Sequence, residues 1–153
     1  MEQETRGTAG FTWQQLVVLI VGSFYMLLGI LGFFFLRDAS APSELGGHDT
    51  YDVMLGFELN GVQNVVHLIL GLVGLACATG RQRSRLYGIL IAVAGLGLFV
   101  FGVIAVGRDD INVLSLNWPD NILHGVTGLI GVALAVAPTT VRHRESADPE
   151  RAT

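Results

Sequence analysis

Four long stretches of the chain are almost free of charged residues, and the segments between them hold most of the polar ones. Each stretch is about 20 residues long, the length that an α-helix needs to cross the hydrocarbon core of a bilayer. The pattern predicts an all-α fold, a membrane four-helix bundle. We place its helices at about 14–36, 59–79, 86–106 and 118–138.

The remaining segments form two tails and three loops around a domain at 13–138. The tails are 1–12 and 139–153, and the loops are 37–58, 80–85 and 107–117. Loop 37–58 is acidic and rich in turn-forming residues, so it is interpreted as an ordered loop or a partial re-entrant cap.

The positions of the arginines predict how the chain is oriented in the membrane. Segment 80–85 holds three arginines and the tails hold four, whereas loops 37–58 and 107–117 hold one each. Short loops rich in Lys and Arg stay in the cytoplasm. We therefore expect a multi-pass protein of the plasma membrane with both termini and loop 80–85 inside. An even number of crossings requires both termini to lie on the same side, and this prediction meets that requirement.

Composition agrees with a membrane protein and excludes some alternatives. Hydrophobic residues make up 51% of the chain and charged residues 14%, and the mean hydropathy is +0.55, so a membrane class is the first expectation. The net charge of -4 includes no basic cluster of the kind that binds nucleic acid. The single cysteine, Cys77, forms neither an intramolecular disulfide nor a cysteine-based zinc site.

Sliding the sequence along itself by 57 positions aligns the second predicted helix with the fourth. The polar residues that match are Asn60 with Asn117, Asn64 with Asn121 and His67 with His124, and the small ones include Gly71 with Gly128 and Gly74 with Gly131. This density of identity predicts two tandem helix-pair repeats. Asn117 followed by Pro119 also indicates the start of a helix.

On a helical wheel, the matched residues of each helix fall on one face, with Asn and His first and small residues after them. Small residues let membrane helices approach closely, so we expect these faces to be helix contacts with the histidines turned inward. The third helix carries Gly88, Gly95 and Gly102 at seven-residue spacing, and the first carries Gly22, Gly29 and Gly32.

Three interpretations of the two Asn-His pairs stay open. In the first, which leads, each pair is a structural clamp whose groups bond to one another, to the other helix or to water. In the second, His67 and His124 are axial ligands of haem b or bind another small ligand. In the third, the pairs line a pathway for protons or a small polar solute, since buried histidine in a membrane indicates function.

No sequence motif of catalysis or phosphate binding is present, so no catalytic residue, metal or cofactor is predicted and an enzyme is not expected. The leading hypothesis is a non-enzymatic structural or interaction bundle. Its expected partners are the lipid bilayer and other membrane proteins or further copies of the chain.

Several of these motifs resemble one family. They are Gly56-Phe57-Glu58-Leu59-Asn60, the stretch from Asn64 through His67 to Gly74, and Asn121-Ile122-Leu123-His124. Together they resemble a family of bacterial four-helix membrane proteins catalogued as domain of unknown function 4383, over roughly Phe24 to Ala137. The resemblance implies the four-helix architecture and carries no known activity.

Overall fold

A computed structural model of the chain describes residues 10–36 and 53–138. The predicted tail 139–153 and most of tail 1–12 and loop 37–58 lie outside these residues. The described part contains helices α1 (Trp13–Phe35), α2 (Gly61–Cys77), α3 (Arg81–Ala105) and α4 (Trp118–Val136), and strands β1 (Val53–Met54) and β2 (Phe57–Glu58). The predicted all-α bundle is confirmed, with one small addition in β1 and β2.

Side-chain caps fix where three of the helices begin. Thr12 and Gln15 form a capping box at the start of α1. The side chain of Asn60 accepts hydrogen bonds from the second and third residues of α2. Asn117 caps α4 and forms a box with Asp120, with Pro119 in the first turn. Such caps satisfy backbone N–H groups that have no partner within the helix, and the predicted start of the fourth helix is confirmed.

The prediction of a loop at 80–85 is wrong, because α3 already begins at Arg81. Charged residues mark the edge of the hydrocarbon in a hydropathy pattern, but arginine is a good helix former and does not end a helix. The turn between α2 and α3 is correspondingly short. It is held by the Ser84 hydroxyl, which donates to the carbonyl of Cys77 at 3.2 Å.

A short β-hairpin follows the segment outside the described residues. β1 and β2 pair antiparallel, with Val53 opposite Glu58 and Met54 opposite Phe57. The two residues between the strands have positive φ, 54° at Leu55 and 91° at Gly56. Positive φ at both central positions is the requirement of a type I′ turn, which suits the twist of paired strands.

The helices expose many large apolar side chains and bury several polar ones alongside an apolar core. Large exposed side chains include Ile20, Leu72, Val93 and Leu129, whereas the buried ones include Asn64, His67, Asp120, Asn121 and His124. This is the reverse of what soluble proteins show. The arrangement suits helices surrounded by lipid, so the chain is a membrane protein.

Three of the helices, α1, α3 and α4, are long and apolar enough to cross a bilayer. Helix α2 is apolar but has 17 residues, a length of about 25 Å at 1.5 Å per residue. The closest packing joins α1 to α2 and α3 to α4, and contacts between these two pairs are much sparser. The bundle therefore consists of two helical hairpins, called here hairpin A (α1 and α2) and hairpin B (α3 and α4).

Candidate functional site

Glycines bring the two helices of each hairpin into backbone contact. A Cβ atom added at Gly22 of α1 would lie 2.9 Å from the backbone nitrogen of Leu75 in α2. One added at Gly95 of α3 would lie 2.8 Å from the backbone nitrogen of Gly128 in α4. Real Cβ contacts are longer than this, so only glycine fits. We call these contacts glycine seams. Further glycines that a Cβ would crowd are Gly71, Gly74, Gly88 and Gly131.

At one end of each seam, an asparagine side chain lies directly over a glycine of the other helix. The amide of Asn64 in α2 occupies the space that a Cβ at Gly32 would need, and the amide of Asn121 in α4 does the same at Gly102. The two hairpins thus make the same contact at sequence-matched asparagines. Among the described residues, neither Asn64 Nδ2 nor the amide of Asn121 has a hydrogen-bond partner.

Asn60 and Asn117, the first of the matched asparagines in each repeat, donate hydrogen bonds to backbone carbonyls. Besides capping α2, Asn60 donates from Nδ2 to the carbonyl of Val113 at 3.4 Å. Asn117 donates from Nδ2 to the carbonyl of Gly56 in the β-hairpin turn at 2.8 Å. Each side chain therefore ties a helix start to a neighbouring loop, which is a structural role.

The junction between hairpins A and B is made by larger polar side chains. The Tyr25 hydroxyl of α1 bonds to the Thr127 hydroxyl of α4 at 3.0 Å, and the Tyr87 hydroxyl of α3 donates to the carbonyl of Leu70 in α2 at 3.1 Å. The rings of His67 and His124 lie side by side here, with centroids 6.4 Å apart and planes tilted by 52°. The structure therefore brings the two predicted histidines together at the junction.

A cavity of about 80 Å³ lies at this junction. Its polar lining comes from Gln63 and His67 of α2, His124 and Thr127 of α4, and Tyr25 of α1. Two of the lining residues carry a buried atom, Gln63 Nε2 and His124 Nδ1, that has no hydrogen-bond partner among the described residues. Buried polar atoms are nearly always satisfied by protein, water or a ligand, so this cavity is the candidate functional site.

A second, smaller cavity of about 10 Å³ adjoins the first. Gln63 and His67 line both cavities. The smaller one is also lined by Asn64 and by two carboxylates, Glu58 at the end of β2 and Asp120 in the first turn of α4. Polar side chains therefore extend from the β-hairpin end of the bundle to the histidine pair, and we call this series of side chains the polar path. Beyond it, the core contains apolar side chains such as Val18, Ile91 and Leu134.

Comparison with known proteins identifies the family. The family model described as "Domain of unknown function (DUF4383)" matches residues 15–137. The chain belongs to this family. The resemblance predicted over roughly Phe24 to Ala137 is confirmed, and the match extends further toward the N-terminus. No curated protein and no solved structure matches the chain.

In this DUF4383 chain, sequence reasoning singled out the histidines but missed three side chains of the cavity. Tyr25, Gln63 and Thr127 lie in or beside apolar runs, and each carries a polar group that needs a partner in lipid. The sequence therefore indicates that these side chains need hydrogen-bond partners, although it does not identify the partners. Within 10–36 and 53–138, no group of three or more His, Cys, Asp and Glu residues is placed to hold a metal ion.

Proposed function

We propose that the protein is a non-enzymatic membrane protein that binds a small polar solute in the cavity between hairpins A and B. The observation that carries this proposal is that two residues lining one cavity, Gln63 and His124, each have a buried polar atom without a partner among the described residues. An unmade hydrogen bond in a buried site costs about 1–3 kcal/mol. A bound solute that offers both a donor and an acceptor removes that cost.

The size of the cavity limits the ligand. A volume of about 80 Å³ corresponds to two or three water molecules at about 30 Å³ each. Pockets that bury larger ligands measure about 300–1,000 Å³. The volume therefore favours water or a solute of only a few non-hydrogen atoms, and it argues against haem b between His67 and His124.

The clamp hypothesis receives less support than the solute site. Asn64 and His67 form no hydrogen bond with each other among the described residues, and the same holds for Asn121 and His124. The contacts that join the hairpins come instead from Tyr25 and Tyr87. The asparagines fit over glycines within each hairpin, so their packing suits a structural role that leaves the histidines available.

The orientation in the membrane is part of the proposal. We infer that α2 crosses the bilayer together with the three longer helices, because it packs along α1 from Gly22 to Gly32. The arginines near 81–85 and in the tails favour the cytoplasm for that side of the plasma membrane. The β-hairpin and the polar path then open toward the outside of the cell.

The test uses formamide as the probe, since it has three non-hydrogen atoms, one N–H donor group and one carbonyl acceptor. Protein labelled with ¹⁵N at histidine is placed in lipid bilayers, and the ring nitrogen signals are followed by solid-state NMR as formamide is added. At a ceiling of about -1.5 kcal/mol per non-hydrogen atom, the binding free energy is at most about -4.5 kcal/mol and the Kd is no tighter than about 0.5 mM, so the titration begins in the sub-millimolar range.

We expect a saturable shift of the His124 signal in the native chain and a linear, non-saturating response in Gln63→Leu. Val113→Leu, a substitution at an exposed loop position, serves as the control and keeps the saturable shift. A response that is linear in all three proteins contradicts a solute site at the histidine pair.

A further inference from the structure

The path to the histidine pair is lined by two carboxylates and lacks a matching cation. Glu58 and Asp120 line the small cavity, and no arginine or lysine is among the described residues that line either cavity. Asp120 is 1% exposed, and its carboxylate accepts backbone N–H groups, from Asn117 at 3.2 Å and from Glu58. Both carboxylates therefore lie at this end without a cationic side chain among the described residues that line it.

A second observation shows that this end of the path is suited to a polar solute. Asn64 and Gln63 also line the small cavity, and each is less than one-tenth exposed. The Nδ2 atom of Asn64 and the Nε2 atom of Gln63 have no hydrogen-bond partner among the described residues. The two amides thus point to a species that passes or rests between the carboxylates and the histidine pair.

We propose that the solute reaches the histidine pair through this acidic mouth, formed by Glu58 and Asp120, and that the mouth admits cationic and neutral solutes and excludes anions. The inference rests on the proposed function and adds to it the route and the charge selectivity. Clefts lined by charge of one sign concentrate solutes of the opposite sign, with effects of about 10- to 1,000-fold on association rates.

The β-hairpin covers the mouth. Met54 and Phe57 line the small cavity from above, and β1 contacts α1 while β2 contacts α4. The β-hairpin therefore lies across both helical hairpins. Its turn is held by the bond from Asn117 Nδ2 to the Gly56 carbonyl, so loosening that bond increases access to the mouth.

The test measures how fast a thiol in the path reacts with a neutral reagent and with an anionic one. In full-length Cys77→Ser protein in bilayer vesicles, Gln63→Cys places a single thiol where the two cavities meet. It is treated with neutral iodoacetamide and with anionic iodoacetate, two small reagents of nearly equal size. Val113→Cys, at an exposed loop position, gives the rate ratio of the two reagents in the absence of the mouth.

We expect the ratio of neutral to anionic rates to be about tenfold higher at Gln63→Cys than at Val113→Cys. Adding Glu58→Gln or Asp120→Asn, which keep the size of each side chain, lowers the ratio toward that of the control. Asn117→Ser keeps a good N-cap residue but removes the bond to Gly56, so it raises the rates of both reagents.

Equal ratios at the two positions, or a Gln63→Cys thiol that neither reagent modifies, overturn the proposed mouth. These results leave the formamide titration unaffected, because that experiment uses the chain with its native Gln63. Conversely, a saturable formamide shift together with equal reagent ratios means that the solute site is present but is reached by another route.

Discussion

The interfaces within the two helical hairpins differ in kind from the interface between them. Within hairpin B, Gly95 meets the backbone of Gly128 with no room for a side chain. Between the hairpins, Tyr25 bonds to Thr127 and two histidines face one another beside a cavity. Close backbone packing holds the first kind of interface, and hydrogen bonds together with apolar side chains such as Val18, Ile91 and Leu134 hold the second.

This difference indicates which interface of the bundle is the better candidate for a functional site. In lipid, close packing of small residues stabilises helix pairs without any polar group. Polar side chains in the same environment are costly to bury. The hairpins therefore do not need the polar junction in order to form, and we propose that its histidines and glutamine serve to bind a solute.

The largest expected effect comes from adding a side chain to a glycine seam. Gly95→Ala places a methyl group 2.8 Å from the His124 carbonyl oxygen and the Gly128 nitrogen, and such overpacking costs about 1–3 kcal/mol. Thermal or denaturant unfolding in detergent micelles measures the loss in the free energy of unfolding.

The matched control for that substitution lies on the same helix. A Cβ at Gly97 meets nothing within 4 Å, so Gly97→Ala adds helix propensity of up to about 1 kcal/mol without a collision. Equal effects of the two substitutions would mean that the seam in hairpin B is not close-packed.

A smaller effect is expected where an asparagine covers a glycine. Gly32→Ala displaces the Asn64 amide, and because a side chain moves more easily than backbone, we expect a loss of about 1 kcal/mol in the free energy of unfolding. Asn64→Ala in the same chain removes the collision, so the double variant is more stable than the sum of the single effects implies. Additive effects in this double-mutant cycle would show that the two residues are not in contact.

The hydrogen bonds across the junction have a smaller expected effect still. Tyr25→Phe removes the bond to Thr127, and hydrogen bonds between membrane helices contribute about 0.6 kcal/mol on average. Thr127→Val removes the other partner, and the coupling energy from the double-mutant cycle isolates the bond. A coupling energy of zero would indicate that Tyr25 and Thr127 do not join the hairpins.

The smallest effect on the free energy of unfolding is expected for a substitution in the cavity. Gln63→Leu replaces a buried amide whose Nε2 has no partner among the described residues with an apolar side chain of similar size. Such replacements are close to neutral or stabilising, so we expect no loss in the free energy of unfolding, while formamide binding is lost. A marked destabilisation would show that Gln63 is structural.

Much of the fold followed from the sequence, but less of the site did. Uncharged stretches were enough to predict four helices, and Asn117 with Pro119 was enough to predict the start of α4. Hydropathy marks the edge of the hydrocarbon and not the end of a helix, so Arg81 was wrongly placed in a loop. The β-hairpin was missed because its strands have two residues each, too few for an alternating pattern.

The histidines could be recognised as a pair because their neighbours match at one fixed offset. The partners of Tyr25 and Tyr87 could not be found in this way, since each bond joins helices that are far apart in sequence. Whether the matched helices arose by duplication stays a prediction. The shared contact of Asn64 with Gly32 and of Asn121 with Gly102 is what that prediction would lead one to expect.

The most direct test of the central claim compares the polar junction with the glycine seams in a single experiment. Solid-state NMR of the protein in bilayers measures the transfer of magnetisation from water to individual sites. We predict rapid transfer to the rings of His67 and His124 and little transfer to Gly74 and Gly128. Transfer to the histidine rings that is no faster than to these glycines would contradict a solute-accessible site between the hairpins.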